Sequence, residues 1–290
     1  MAYQIEYAYT CHMGKVRTNN EDNFWCCGDT LTAENQGFQE IKTEVSSSAE
    51  FPLLAVFDGM GGESCGEIAA FLAAQTLGTC YKENRQVLKE NQEQFLEQTC
   101  RWMNRAVCEY AMENRIGCMG TTAAFLSFGE DQVTIGNLGD SRIYKAFPGG
   151  FQQLSTDHVL WGTLYRKAPL TQYLGIPDEN MELDPSLVRE EYCENVRYLL
   201  CSDGLTDMLS DGEIADILSR ELSVKDTVEI LRDRALLKGG RDNVTVVLCE
   251  IQAAQKGGSC IRQWLEGKKC MQKWKKLFFQ VGKGQTGEET

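Results

Sequence analysis

Short, largely apolar runs separated by polar stretches recur along the chain: "YQIEYAYTC", "FPLLAVFDG", "TTAAFLSFG", "QVTIGNLGD", "SRIYKAF", "VRYLLCSDG" and "NVTVVLCEI". They are rich in β-branched and aromatic residues, and several stop at Gly or Asp-Gly, the punctuation of strands that end in tight turns. Longer stretches between them carry apolar residues three to four apart. These are "GEIAAFLAAQTLGTCYK" and "RQVLKENQEQFLEQTCRWMNRAVCEYAMENR" in the first half, then "SDGEIADILSR" and "VKDTVEILRDRALLKG". That spacing predicts two long helices followed by two shorter ones. The polar stretch "DTLTAENQGFQEIKTEVSSSAE" reads as a hairpin or surface loop. Strands of this number, interleaved with helices, predict an α+β sandwich with sheets inside and helices outside.

The charge is uneven. The 290 residues carry a net charge of −13. From residue 253 onward there are eight Lys or Arg and three Glu, so the tail is +5 and the body −13 − 5 = −18. With "KGG" at 256–258, this break divides a folded body, 1–252, from a basic tail, 253–290. An acidic body excludes general nucleic-acid binding, which needs basic groups to displace counterions. The tail mixes Trp264, Leu265, Met271, Trp274, Leu277 and Phe278 with lysines. That suits an anionic membrane surface or a partner's groove; a tail packed on the acidic body, or one without fixed order, is the competing reading. No stretch approaches the roughly 18 apolar residues of a membrane span, and the N-terminus has no apolar leader core. The thirteen cysteines are odd in number and form no CxxC pair, so they read as buried thiols in a reducing cytoplasm. With two histidines and no zinc-type spacing, a zinc site is disfavoured.

Acids punctuate the strands. Glu21 and Asp22 lie in "VRTNNEDNF", Asp58 in "VFDGMGG", Asp140 in "NLGDSR", Asp203 in "LLCSDG" and Asp242 in "GGRDNVTVV". Taken one at a time, such acids are turn residues that accept the next backbone amides. Taken together, at the tips of central strands that converge on one end of a sheet, they repel unless neutralised. A hard divalent cation does this, and oxygen ligands select magnesium, manganese or calcium. The Gly59 carbonyl is a further donor, and Gly61 and Gly62 allow a sharp turn into the following helix. No twelve-residue calcium loop of EF-hand type is present.

"GKVRTNNEDNF", "VFDGMGG", "MGTTAAFLSF", "IGNLGDSRIY", "LSTDHV", "LTQYLGI", "LLCSDGLTDMLSDGEI" and "GGRDNVTVVL" occur in the order seen in metal-dependent protein phosphatases of the 2C type, and resemble the compact bacterial members most. The resemblance runs over about residues 8–251. It implies a central antiparallel β-sandwich flanked by helices on both sides, a four-layer α/β/β/α fold, and hydrolysis of phosphoserine and phosphothreonine at a centre of two Mg or Mn ions. In that family Asp58 would bridge the ions. Gly59 and a carboxylate of the "NNED" segment (Asp22 before Glu21) would serve one ion, and Asp203 and Asp242 the other. Asp140 with Asp203 would form a third, weaker site, and Arg17 would grip the substrate phosphate, which suits a planar fork. The chemistry would run through a metal-activated water, so no protein nucleophile is needed. Cys201 beside Asp203 is read as a core strand position.

Two departures from the family matter. Met60 stands where many eukaryotic relatives have a histidine proposed as general acid. His158 is read as a structural residue at the base of the flap, and His12 as a hydrogen-bonded rim residue. The flap is shortened to about 159–170, which should leave the centre more open. The family also implies phosphorylated protein substrates and a cognate Ser/Thr kinase. A monomer in the cytoplasm, or peripheral to a membrane through the tail, is the expectation. The rival from another class is a catalytically weak phosphatase-fold scaffold.

Overall fold

The structure, a computed structural model, describes residues 2–60, 65–160, 168–177 and 179–253. The elements in chain order are β1 (Tyr3–His12), β2 (Asp22–Cys26), β3 (Lys42–Ser47), β4 (Leu53–Met60), α1 (Gly66–Glu83), α2 (Arg85–Glu90), α3 (Gln92–Glu113), β5 (Gly120–Thr121), β6 (Ala123–Phe128), β7 (Gln132–Leu138), β8 (Arg142–Phe147) and β9 (Gly150–Gln153). They continue with β10 (Ser186–Glu191), β11 (Val196–Cys201), α4 (Asp203–Thr206), α5 (Asp211–Leu218), α6 (Val224–Leu237) and β12 (Val244–Ala253). One sheet runs β3-β1-β12-β11-β8-β9. The other runs β10-β7-β6-β4-β2, with β5 added on β4. The pairings β2/β4, β4/β6, β6/β7, β8/β11 and β11/β12 are all antiparallel.

The two-residue period of the strands sorts their side chains into layers. Along β4, Leu54 and Val56 enter a core shared with Ile5, Tyr7 and Tyr9 of β1 and with Tyr198 and Leu200 of β11, which is the space between the sheets. Leu53, Ala55 and Phe57 point the other way, onto Ala70, Ala73 and Leu77 of α1 and Phe95 and Met103 of α3. On the far side Leu199, Val246 and Leu248 meet Ile214 of α5 and Val228 and Leu231 of α6. The result is the expected helix–sheet–sheet–helix order.

Sequence periodicity missed several details. The stretch from Arg85 to Arg115 is two helices, because Asn91 is extended and its side chain accepts the Gln94 amide, capping α3. The polar stretch before Phe51 contains an edge strand, β3, paired along β1. Its side chains are mostly exposed, which removes the alternation that betrays a strand. Strands β2, β5, β9 and β10 were likewise unread.

Two contacts fix the layers. Lys145, 1% exposed, reaches from β8 across the inter-sheet space to Glu190 of β10 at 2.6 Å, and the Tyr198 hydroxyl donates to the same carboxylate at 3.0 Å. This pairs charges that would otherwise be stranded. On the other face α1 seats on β2 at Gly78, where a Cβ would lie 2.4 Å from Trp25 Cζ3 and 2.5 Å from Cη2. Alanine there gains about 1 kcal/mol of helix propensity but overpacks a buried indole, at about 1–3 kcal/mol. Gly78→Ala is therefore expected to lower the melting temperature by a few degrees, measured by thermal unfolding, despite its better helix former.

Candidate metal centre

The row of side chains that fills the inter-sheet space does not stop at the last apolar residue. In β4, Asp58 follows Leu54 and Val56 in the same register. In β2, Asp22 precedes Phe24 and Cys26. Asp22 and Asp58 are directly opposed across the β2/β4 ladder. On the facing sheet the rows of β11 and β12 continue into Ser202 and Thr245, and both hydroxyls donate to Asp22 Oδ2 at 2.7 Å. The rim of the inter-sheet core is therefore polar on both sides, and it joins the two sheets through one carboxylate.

The acids arrive there by different routes than expected. Each was read as closing a strand, yet Asp22 opens β2 and Asp242 lies two residues before β12. Antiparallel pairing resolves this: the start of one strand lies beside the end of its neighbour, so both kinds of terminus share a rim. Asp203 begins α4, directly after β11. It sits near Asp242 because Gly204 packs on the following residue; a Cβ there would lie 1.8 Å from the Asn243 carbonyl oxygen and 3.4 Å from Asp242 Cβ. Gly59 has a similar reason. A Cβ would come within 2.2 Å of the Gly66 carbonyl oxygen and 2.5 Å of that of Glu21, whose carbonyl accepts the Gly59 amide at 3.1 Å. Close backbone approach, rather than a positive φ, requires glycine here. The turn glycines Gly61 and Gly62 lie outside the described residues.

Residues 13–21 form the lip that carries Arg17 and Glu21. Asn243, 4% exposed, clamps it: its side-chain amide donates to Met13 O at 2.8 Å and Asn19 O at 2.9 Å, and its Oδ1 accepts the Glu21 amide at 2.8 Å. The Lys15 amide donates to Gly240 O at 2.7 Å. Between these anchors Arg17 extends its guanidinium to Asp242 Oδ2, 2.7 Å away, while Asp242 Oδ1 accepts the Asn243 amide at 2.9 Å.

The field is strongly negative. Burial pushes the Asp22 carboxyl up to about 7, with Asp203 and Asp242 adding to the shift and the Ser202 and Thr245 hydroxyls opposing it. Burial also raises Glu21, against the nearby Arg17. The Arg17 guanidinium is pushed up by its hydrogen bond to Asp242, and Glu21 and Asp203 act in the same sense. The geometry beneath these influences is the Arg17–Asp242 ion pair at the lip and the opposition of Asp22 and Asp58 across the β2/β4 ladder.

Asp140 is tied in one step further out. The Asp58 amide donates to Thr122 Oγ1, which shares a 2.7 Å hydrogen bond with Ser141 Oγ, next to Asp140. His158 braces the same turn: its Nδ1 accepts the Gly139 amide at 3.2 Å, and its own amide donates to Gly139 O at 3.0 Å. It is a structural residue, as expected. His12 is one too, its Nδ1 accepting the Gly14 amide at 2.8 Å. Met60 ends β4 opposite Gly120. Cys201 packs in the core against α5 and α6, and burial holds its thiol far above the ordinary range. The part of the shortened flap at 161–167 lies outside the described residues.

Among the described residues no three His, Cys, Asp or Glu side chains stand as a ready coordination cluster. The carboxylates instead take protein partners, Asp242 with Arg17 and Asp22 with two hydroxyls. The donor set nonetheless fits a hard divalent ion. It consists of carboxylates and a backbone carbonyl at Gly59, brought together on neighbouring backbones. Asn243, Thr122, Ser202 and Thr245 were not foreseen. Their signal was present only as parity, since Ser202 and Thr245 continue the inward rows of their strands.

The model of the protein phosphatase 2C family matches residues 41–238. A serine/threonine phosphatase stp of Listeria innocua serovar 6a is 32% identical over 260 residues, covering 84% of this chain and 95% of that one. The serine/threonine protein phosphatase PstP of Mycobacterium tuberculosis is 30% identical over 260 residues, covering 85% of this chain and 45% of that protein. Among solved structures, the catalytic domain of PstP in complex with two manganese ions superposes with a TM-score of 0.68 at 29% identity, covering 87% of this chain and all of that one. The S. agalactiae serine/threonine phosphatase gives a TM-score of 0.71 at 26% identity, covering 85% of this chain and 99% of that one. No helix among the described residues is long and apolar enough to cross a membrane. A family model spanning most of the chain, and a relative 32% identical and covered over 95% of its own length, show that the chain belongs to the protein phosphatase 2C family.

Proposed function

We propose that this chain is a Mg- or Mn-dependent phosphatase that removes phosphate from phosphoserine and phosphothreonine in proteins. The observation that carries the reading is the opposition of Asp22 and Asp58 on one sheet, with Asp203 at the start of α4, Asp242 just before β12 and an arginine at the lip. Asp58, the Gly59 carbonyl, Asp203 and Asp242 would hold two ions, with Glu21 and Asp22 behind one of them and Asp140 at a weaker third position. The two manganese ions of the PstP catalytic domain support that count. When bound, such ions neutralise the acids, draw negative charge from the phosphoryl oxygens and make a water acidic enough to attack at neutral pH.

The chain's own residues do the rest. Ser202 and Thr245 orient Asp22 by fixing one oxygen, so that any cation or its water must use Oδ1. Thr122 fixes the backbone of Asp58. Arg17, half exposed at the lip, offers a planar fork to a phosphate dianion. The two thiols beside the acids, Cys201 and Cys11, are buried, and burial raises both, so neither is offered as a nucleophile. The buried thiols Cys11, Cys26, Cys80, Cys100, Cys201 and Cys249 form no disulfide, in keeping with the proposed cytoplasmic setting. A cognate Ser/Thr kinase and a monomeric state complete the proposal. The tail at 253–290, beyond Ala253, lies outside the described residues; its lysines and tryptophans support contact with an anionic membrane or a partner.

Three outcomes test this reading. Hydrolysis of a small aryl phosphate should require added manganese or magnesium, and Asp58→Asn should reduce kcat to background while circular dichroism shows an intact fold. Turnover near the wild-type rate with saturating metal would remove Asp58 from the centre. Arg17→Ala should chiefly raise KM, read from the same assay; a loss confined to kcat would instead give the arginine a transition-state role. The third concerns pH in the presence of a chelator. The folded chain keeps the Asp22 proton up to about 7, whereas the unfolded chain releases it near 3.8. Stability should therefore fall as pH rises through that window and level off above it, with up to one proton of slope from this group and further slope of the same sign from Glu21. Urea unfolding at several pH values checks this, and Asp22→Asn should flatten the curve.

A further inference from the structure

Arg17 has two claims on it. The phosphate role assigned above needs its guanidinium to be available to substrate, yet that guanidinium is bonded to Asp242 Oδ2 at 2.7 Å. Asp242 is one of the carboxylates proposed to hold a cation, and its other oxygen already accepts the Asn243 amide. A divalent ion that takes Asp242 must therefore displace the arginine from Oδ2 or share that oxygen with it.

The backbone makes this an exchange rather than a loss. The lip is anchored on both sides of Arg17, at Met13 and Lys15 before it and at Asn19 and Glu21 after it, in each case to residues 240–243. A Cβ on Gly14 would lie 2.2 Å from the Asp242 carbonyl oxygen, so the two loops are in backbone contact. Arg17 cannot leave with its loop; only its side chain can swing. It is 49% exposed, and Asp242 24%. An ion pair at that exposure is weak enough to be broken by a better ligand.

We propose that Arg17 is a built-in counter-cation for Asp242 which an incoming divalent ion displaces, so that metal uptake releases the arginine to bind phosphate. The inference rests on the phosphatase reading and adds a rule to it: the two ligands are coupled through one carboxylate. By linkage the coupling is reciprocal, and phosphate that draws Arg17 away leaves Asp242 free to take a cation. The same exchange keeps charge at the lip balanced while the centre loads.

Manganese binding, measured by electron paramagnetic resonance of the free ion and by calorimetry, tests this without reference to turnover. Three full-length proteins are compared in phosphate-free buffer: wild type, Arg17→Ala and Lys15→Ala. Lys15→Ala removes the same unit charge from the same lip, but from a residue whose hydrogen bond to the 240–243 loop is made by its backbone amide and whose side-chain stem packs beside Gly240. Arg17→Ala should tighten manganese binding by about three- to tenfold, while Lys15→Ala changes it less than about twofold. Equal tightening in both variants would mean that charge alone acts, and would overturn the proposal, as would unchanged or weaker binding in Arg17→Ala. In a second arm, added inorganic phosphate should tighten manganese in the wild type by a larger factor than in Arg17→Ala; equal factors would overturn the coupling. If the wild-type chain bound no manganese at all, the phosphatase reading itself would fall. Equal affinities across the three proteins would remove only the exchange.

Discussion

Two carboxylates directly opposed on hydrogen-bonded strands repel unless something takes up their charge. Asp22 and Asp58 are placed in that way, and much of the site can be understood as the answer to it. Burial keeps the Asp22 proton on to about 7, the hydroxyls of Ser202 and Thr245 hold one of its oxygens, and a guanidinium stands on Asp242. These are substitutes for cationic charge. A divalent ion supplies the same charge more compactly and adds the ability to polarise a phosphoryl group. The acids are held at the rim by the packing beneath them, where apolar rows of both sheets run up to it.

The positions of those acids are set by backbone contacts more than by side chains. Gly59 and Gly204 let strand ends approach neighbouring carbonyls closer than a Cβ would permit. Asn243 gathers three backbone groups of the 13–21 lip. Because the lip and the 240–243 loop are held as one unit, the backbones that carry Arg17 and Asp242 keep a fixed spacing. This explains how residues about 225 positions apart in sequence can act as a pair without a large conformational change.

Likeness to bacterial phosphatases adds a family to this picture but not the particulars. Asp22 and Asp58 face each other across the β2/β4 ladder, and Asp242 carries Arg17 at the neighbouring lip. The chain departs from the family at Met60, where no proton donor stands. Both histidines are tied into turns, with Nδ1 accepting a backbone amide in each, so neither is presented to the leaving group by its own geometry.

Much was legible in the chain itself. The largely apolar runs "LLAVF" and "RYLLC" announced central strands buried on both faces, and parity alone carries Leu54 and Val56 into Asp58. The helices on each outer face were announced by their three-to-four spacing. Parity could not say which end of which strand met which. Asp22 and Asp242 precede their strands, and only antiparallel pairing brings a beginning beside an end. Nor could it show β3, whose side chains face water, or the break at Asn91, where a side-chain cap ends a pattern that still looks helical. What sequence determined was the inventory, acids and glycines at strand termini beneath apolar rows, since local periodicity is written residue by residue. What tertiary structure decided was company: Asp58 across from Asp22, Ser202 and Thr245 upon Asp22, Arg17 upon Asp242. Those depend on contacts between segments far apart in the chain, and no local pattern encodes them.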